Sequence, residues 1–416
     1  MSSTSASGSS SPQSASRFKS ILRGLLFFFI LLAITGGAHV FIFSRVARPL
    51  AGEQNVLWLA WVMGILWLNL FLGFGLLRIL PDALRRWYES VLFLWMGMAL
   101  FLLMASVPVF LLATLVSFEV KPEHRAMATV GLACFLGGIG FLKAQRSRVV
   151  VTSLPLLGRP RGTLADGGQT INGDPGGIRI AVLSDIHVSG TLGARRLRRI
   201  AARVKALKPD LIFILGDLVD GSVRQLGRDV LALRDLDAAG AQAIYFVTGN
   251  HEYFSGASSW KSFIKGNLCW DVLENDRRHI ECKGYRLVIA GIDDRQSLWG
   301  DNVFGPRQQD RRLAAALEGL SAIEAKEQLV MLLAHQPKDA HQLAAEPRVH
   351  LQVSGHTHGG QIWPFGMVAR RDQGFLSGHY ELGGNQHLYV SEGTCYWGLP
   401  FRLGTQCEIS LLHLTT

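Results

Sequence analysis

Cysteine is scarce in this 416-residue chain: there are five, and no two of them form a C-x-x-C pair. A domain of this size needs no disulfide scaffold, and buried or surface thiols in a reducing compartment account for them. Acidic residues are nearly missing from the first 148 positions, which hold five Asp/Glu against thirteen Lys/Arg. The rest of the chain is close to balanced, with 29 basic against 27 acidic residues. The net charge of +10 therefore flanks apolar stretches and does not form a basic nucleic-acid stripe, and no nucleic-acid partner is expected. Residues 1–16, mostly Ser with Ala, Gly, Pro and Gln, contain no twin-Arg pair. They have too little apolar surface to offset the entropy of ordering, so a disordered tail is expected. No small-x-small cleavage site follows the first apolar run, so an anchor is expected in preference to a removable signal peptide. No internal repeat is apparent.

Long apolar runs dominate residues 17–148. They lie at roughly Gly24–Phe43, Val56–Leu77, Val91–Val116 and Ala126–Leu142. A bilayer-spanning helix needs about 20 apolar residues, so the first three suffice and the fourth is near the lower limit. Pro108 is expected to kink the third. His39 lies inside the first, where an intramembrane ionisable group is either functional or a helix-packing hydrogen bond. The flanks collect Arg17, Lys19, Arg23, Arg78, Arg85, Arg86, Lys143, Arg146 and Arg148 on one side and Arg45, Arg48, Lys121 and Arg125 on the other. Nine against four predicts that the first side is cytoplasmic, together with everything after the fourth span. An integral protein of a bacterial inner membrane is expected, with membrane lipid as a partner. Residues 149–176, with Pro155, Pro160 and a Gly/Asp/Asn-rich stretch over Ala165–Gly177, read as a linker. A catalytic domain over 177–416 follows.

In that domain five short apolar runs each stop at metal-binding residue types. Ile178–Ser184 ends at Asp185-Ile186-His187, and Leu211–Leu215 at Gly216-Asp217-Leu218-Val219-Asp220. Ala243–Thr248 ends at Gly249-Asn250-His251-Glu252, Leu329–Ala334 at His335, and His350–Ser354 at Gly355-His356-Thr357-His358. Runs of this length and composition read as buried strands, and ligands at their C-terminal ends converge on one rim of the sheet. Carboxylates, an amide oxygen and imidazoles together suit Mn²⁺, Zn²⁺ or Fe. Turn chemistry explains one or two such sites, but not the ordered set with four histidines.

The set resembles the calcineurin-like metallophosphoesterase superfamily, in its membrane-anchored branch of transmembrane proteins with a metallophosphoesterase domain. Gly291-Ile292-Asp293-Asp294, Gly359-Gly360-Gln361 with Pro364, and Leu399-Pro400-Phe401-Arg402 narrow the match. The resemblance implies an N-terminal four-helix membrane region followed by an α/β domain, a two-sheet β-sandwich flanked by helices. It implies two divalent ions, one held by Asp185, His187 and His358 and the other by Asn250, His335 and His356, with Asp217 between them. It also implies that His251 serves the leaving group, that Asp220 orients His251, and that a metal-activated hydroxide hydrolyses a phosphate ester or anhydride. Arg402 is expected to bind substrate phosphate, and Glu252 to be a solvated loop carboxylate. Asp293 and Asp294 read as a turn with a lesser claim on the site. The substrate is a phosphorylated small molecule or a lipid-linked phosphate. Part of the branch resembles UDP-2,3-diacylglucosamine pyrophosphatases of lipid A synthesis. A non-catalytic metal-binding scaffold or membrane sensor is the alternative from a different class.

Overall fold

The computed structural model describes residues 12–115, 119–157, 177–298 and 310–416. The expected tail thus lies outside the described residues up to position 11, and the chain is helical from Pro12 onward. Among the described residues four helices are long and apolar enough to cross a bilayer, and their candidate spans are Phe28–Ala51, Glu53–Gly73, Asp82–Leu115 and Pro122–Ala144. The fourth, marginal by sequence, is a helix of 23 residues. Pro108 lies inside the helix Asp82–Leu115, which continues past it. The chain divides into two units, Met1–Arg78 with Met98–Phe135, and Ile79–Gly97 with Leu136–Thr416. In the first, Trp67 Nε1 donates to Thr35 Oγ1 at 3.2 Å and the Phe28 and Phe71 rings meet edge-on. His39 lies 2.8 Å from the Thr35 carbonyl, a hydrogen bond within its own helix.

Among the described residues, the second unit holds twelve strands in two six-stranded sheets. The first sheet contains β1 (Ser147–Pro155), β2 (Ile178–Leu183), β3 (Leu211–Ile214), β4 (Ala243–Phe246), β5 (Asp271–Val272) and, from the end of the chain, β12 (Cys407–Thr415), in the order β1-β12-β2-β3-β4-β5. The second contains β6 (Asp276–Cys282), β7 (Tyr285–Gly291), β8 (Leu329–Leu333), β9 (Leu351–Ser354), β10 (Gly378–Gly383) and β11 (Gln386–Val390), in the order β10-β11-β9-β8-β7-β6.

Alternation along the strands builds the layers. Ile178, Ile180 and Val182 of β2, Leu211 and Phe213 of β3, Leu287 and Ile289 of β7, and Met331 and Leu333 of β8 share one fully buried cluster. The intervening residues Ala181, Leu183, Ile212 and Ile214 face the helix Ala194–Leu207, which buries Leu197, Ile200, Ala201 and Val204 at helical spacing and leaves Arg195, Arg198, Arg199 and Arg203 exposed. Val288, Ala290, Val330 and Leu332 pack outward on the other side with Leu313, Ala316 and Leu343. A β-sandwich between helical layers results, as the resemblance implied.

One expectation is corrected. Residues 149–155, read as the start of a linker, belong to β1 (Ser147–Pro155), which pairs in parallel with β12 along its whole length. The β-branched run Val149–Thr152 carries the strand, and Pro155 is tolerated because β1 is an edge. The remainder of the expected linker, 158–176, lies outside the described residues. Strands β2, β3 and β4 run parallel, as do β7, β8, β9 and β11, so each sheet delivers its C-terminal ends to one rim.

Candidate metal centre

Every expected ligand follows one of these parallel strands: Asp185 and His187 after β2, Asp217 after β3, Asn250 after β4, His335 after β8, His356 and His358 after β9. The structure gathers six of them, all but Asn250, into two neighbouring groups. Ligand atoms of Asp185, His187 and His358 lie within 4.8 Å of one another, and so do those of Asp217, His335 and His356. His187 Nε2 and His358 Nε2 are 3.0 Å apart, and His358 Nε2 is 3.5 Å from Asp185 Oδ1. His335 Nε2 is 3.1 Å from His356 Nδ1 and 3.2 Å from Asp217 Oδ2. Asp217 Oδ2 also reaches to 3.8 Å from His187 Nε2, so one carboxylate faces both groups.

Two observations test whether the pocket suits cations. Asn250 Oδ1 is buried and has no hydrogen-bond partner among the described residues. An orphaned buried acceptor is costly unless something outside the protein satisfies it. The second observation is backbone strain. Asp185 (φ 54°), His187 (φ 50°), Asp217 (φ 49°), His356 (φ 70°) and His358 (φ 52°) all adopt left-handed conformations. Each such residue costs about 1–3 kcal/mol and persists only where the surroundings impose it, typically at functional sites. The carboxylate–imidazole–amide donor set fits borderline divalent ions.

Around these groups the chain supplies supporting bonds. His335 Nδ1 donates to the Leu215 carbonyl at 2.7 Å, leaving Nε2 to face the site. Asp185 accepts from Ser184 Oγ and from the His356 backbone N–H. Asp220 Oδ1 is shared, 2.8 Å from His187 Nδ1 and 2.7 Å from His251 Nδ1. Burial alone would raise the Asp220 carboxyl, but the two histidines outweigh it and hold it at about 2. Burial favours neutral His251, yet Asp217 and the bond to Asp220 lift its ring to about 9. His251 is thus held towards its protonated form and is half-buried, whereas the His187, His335 and His358 rings are buried.

Glu252 and Arg402 depart from expectation. Glu252 is fully buried, not solvated. Its carboxylate accepts backbone N–H bonds from Asp217 (2.9 Å), Leu218 (2.8 Å) and Gly249 (2.6 Å), tying the end of β3 to the end of β4. The capping-box spacing from Gly249 to Glu252 was a legible signal for part of this role. Arg402 is likewise sealed, with no exposure. Its guanidinium donates to the His358 carbonyl at 2.6 Å and to the Cys395 carbonyl, and lies 3.0 Å from His358 Nδ1. It is spent on holding the segment that carries His358 and is not open to a substrate phosphate. Asp293 and Asp294 brace the loops, Asp294 accepting from Gln336 Nε2 at 2.8 Å and Asp293 from Thr248 Oγ1 at 3.0 Å.

A family model described as calcineurin-like phosphoesterase matches residues 178–360, the stretch that contains all seven expected ligand residues. An uncharacterized metallophosphoesterase from Bacillus subtilis is 31% identical over 247 residues, which cover 57% of this chain and 79% of that protein. The chain belongs to the calcineurin-like phosphoesterase family. A putative metallophosphoesterase from Caenorhabditis elegans is 37% identical over 246 residues, 58% of this chain and 49% of its own length. A bovine (Bos taurus) transmembrane protein with metallophosphoesterase domain is 36% identical over 245 residues, 57% and 53% of the two chains. The chain thus spans about half the length of these last two relatives. Four apolar helices ahead of the phosphoesterase domain make this family member a membrane protein.

Proposed function

We propose that the chain is a membrane-bound, binuclear-metal phosphoesterase that hydrolyses a phosphate ester or anhydride. Asp185, His187 and His358 would hold one ion and Asn250, His335 and His356 the second, with Asp217 facing both. The observation that carries this reading is the pair of convergent carboxylate–imidazole groups, with the buried Asn250 Oδ1 at the end of β4 left unsatisfied by the described residues. Two divalent ions bound there would polarise the phosphate and lower the pKa of a nearby water towards neutrality. Mn²⁺, Zn²⁺ and Fe are the candidates for this donor set.

The chain's own residues supply the rest. His251, protonated and partly exposed at the mouth, stands ready to stabilise or protonate the departing oxygen. Asp220 orients it through Nδ1 and, through the same oxygen, fixes His187. The flank charges support a catalytic domain on the cytoplasmic side of its membrane. The reading is tested by hydrolysis of a chromogenic phosphodiester by full-length protein that has been stripped of metal and resupplied with Mn²⁺. Activity restored by the ion is expected, and turnover that is unchanged by stripping would contradict the reading.

A further inference from the structure

The metal centre has an apolar rim. Trp363 (65% exposed), Phe365 (47%), Met367 (67%), Val368 (66%), Trp397 (53%) and Phe254 (66%) project into solvent from a domain whose other large apolar side chains are mostly buried. Two of these flank the chemistry. The Trp397 ring lies 5.5 Å from that of His251 and 6.4 Å from that of His187, and Phe254 meets His251 at 5.5 Å. The others hang from the same segment. Gln361 accepts from Trp397 N–H at 2.9 Å and donates to the carbonyls of Trp397 and Leu399, and Trp363 N–H donates to the Leu403 carbonyl at 2.8 Å. An exposed apolar patch of this kind marks a surface that meets protein or membrane.

The segment's other neighbours decide between these. Gly398 sits against the Phe93 ring, and the Phe401 ring lies against Gly97 so closely that no side chain fits there. Phe401 also meets Phe141 edge-on, and Arg402 N–H donates to the Gly140 carbonyl at 2.9 Å. In the helix Asp82–Leu115 the last charge is Glu89, and in Pro122–Ala144 the apolar stretch ends at Lys143. About 20 residues cross the hydrocarbon, so both Phe93–Gly97 and Gly140–Phe141 stand at its edge. Phe401, and with it the Trp397 segment, therefore packs on two helices where their apolar stretches begin and end. The short helix Gly366–Gln373 adds exposed Arg370 and Arg371, neither ion-paired among the described residues, beside Met367 and Val368. Apolar residues beside basic ones suit an anionic lipid interface, where Trp is also favoured.

We propose that this rim rests in the bilayer interface and that the centre takes a phosphate ester whose apolar part stays in the membrane. The substrate class rests on the phosphoesterase reading, whereas the position of the rim does not.

The test uses full-length protein in vesicles of phosphatidylcholine with phosphatidylglycerol. The position of the rim is read without catalysis, from the tryptophan emission that Trp363→Phe removes, in vesicles with brominated acyl chains. Quenching of that emission by at least half is expected; unquenched Trp363 emission overturns the proposal, including in favour of a protein partner. The substrate class is read from Mn²⁺-supported hydrolysis of p-nitrophenyl phosphodiesters, one water-soluble and one bearing a hexadecyl chain. Met367→Asp/Val368→Asp is expected to lower turnover of the hexadecyl ester at least tenfold and to change the soluble ester less than twofold. Equal effects on the two esters, or none on the hexadecyl ester, overturn the substrate class. Turnover of neither ester by the wild type, with Trp363 quenched, contradicts the phosphoesterase reading and leaves the position of the rim standing.

Discussion

Glu252 is the most informative single residue to change, because it touches none of the expected ions and yet holds the loops that carry two of the ligands. Glu252→Ala leaves the buried N–H groups of Asp217, Leu218 and Gly249 without acceptors. At about 1–3 kcal/mol for each unsatisfied donor, the loss is about 3–9 kcal/mol. That is comparable with the whole stability of an ordinary domain, about 5–15 kcal/mol, so Glu252→Ala is expected to fold poorly or to lose order around the site. Glu252→Gln is the sharper perturbation. It keeps one acceptor oxygen but turns an amide NH₂ towards an N–H donor, which costs about 2–4 kcal/mol. For a domain of this size that lowers the melting temperature by about 5–15 °C. Melting in detergent, followed by circular dichroism, measures the shift, and Mn²⁺ titration of the folded variant measures what remains of the site. The expected result is a lower melting temperature together with weakened ion binding, since the Asp217 and Asn250 loops part. A Glu252→Ala protein that melts within about 2 °C of the wild type would refute the assigned bonds.

Four further outcomes follow from the same geometry. Arg402→Met should weaken Mn²⁺ binding about 10–100-fold by releasing the His358 segment, as loss of an outer-shell partner does. A rise in KM with unchanged ion affinity would instead restore Arg402 as a substrate ligand. Asp220→Asn should lower kcat about 10–100-fold and also weaken ion binding, because one oxygen serves both His187 and His251; kinetics beside a Mn²⁺ titration separate the two effects. In Gly249→Ala the new methyl falls on the Asp217 carboxylate and backbone, so ion binding should be lost while the far-UV spectrum stays near that of the wild type. His251→Ala should lower kcat about 10²–10⁴-fold, the range for a lost general acid, with ion content retained.

Much of the catalytic domain was legible because its signals are local. A buried strand announces itself by a short apolar run, and a ligand by the residue type at which the run stops. Asp185, Asp217, Asn250, His335 and His356 could each be read that way, and the parallel order of the strands then brings them together. What escaped was set by contacts distant in sequence. Arg402 looks like a phosphate-binding arginine until the fold seals it against His358, 44 residues earlier. Glu252 looks like a surface carboxylate until β3 and β4 close their ends around it. β1 reads as a linker because its partner, β12, lies at the other end of the chain. The shared use of Asp220 by two histidines was half legible: the resemblance implied His251, and only the meeting of the β2 and β3 loops supplied His187.

The central claim is that seven side chains from both sheets hold two ions with Asp217 between them. Metal content by plasma mass spectrometry, on full-length protein loaded with Mn²⁺ and desalted, tests it most directly. The account predicts about two ions per chain in the wild type and fewer than about one in Asp217→Ala, because a carboxylate facing both sites serves both. A wild type that retains no ion, or an Asp217→Ala protein that retains both, would contradict it.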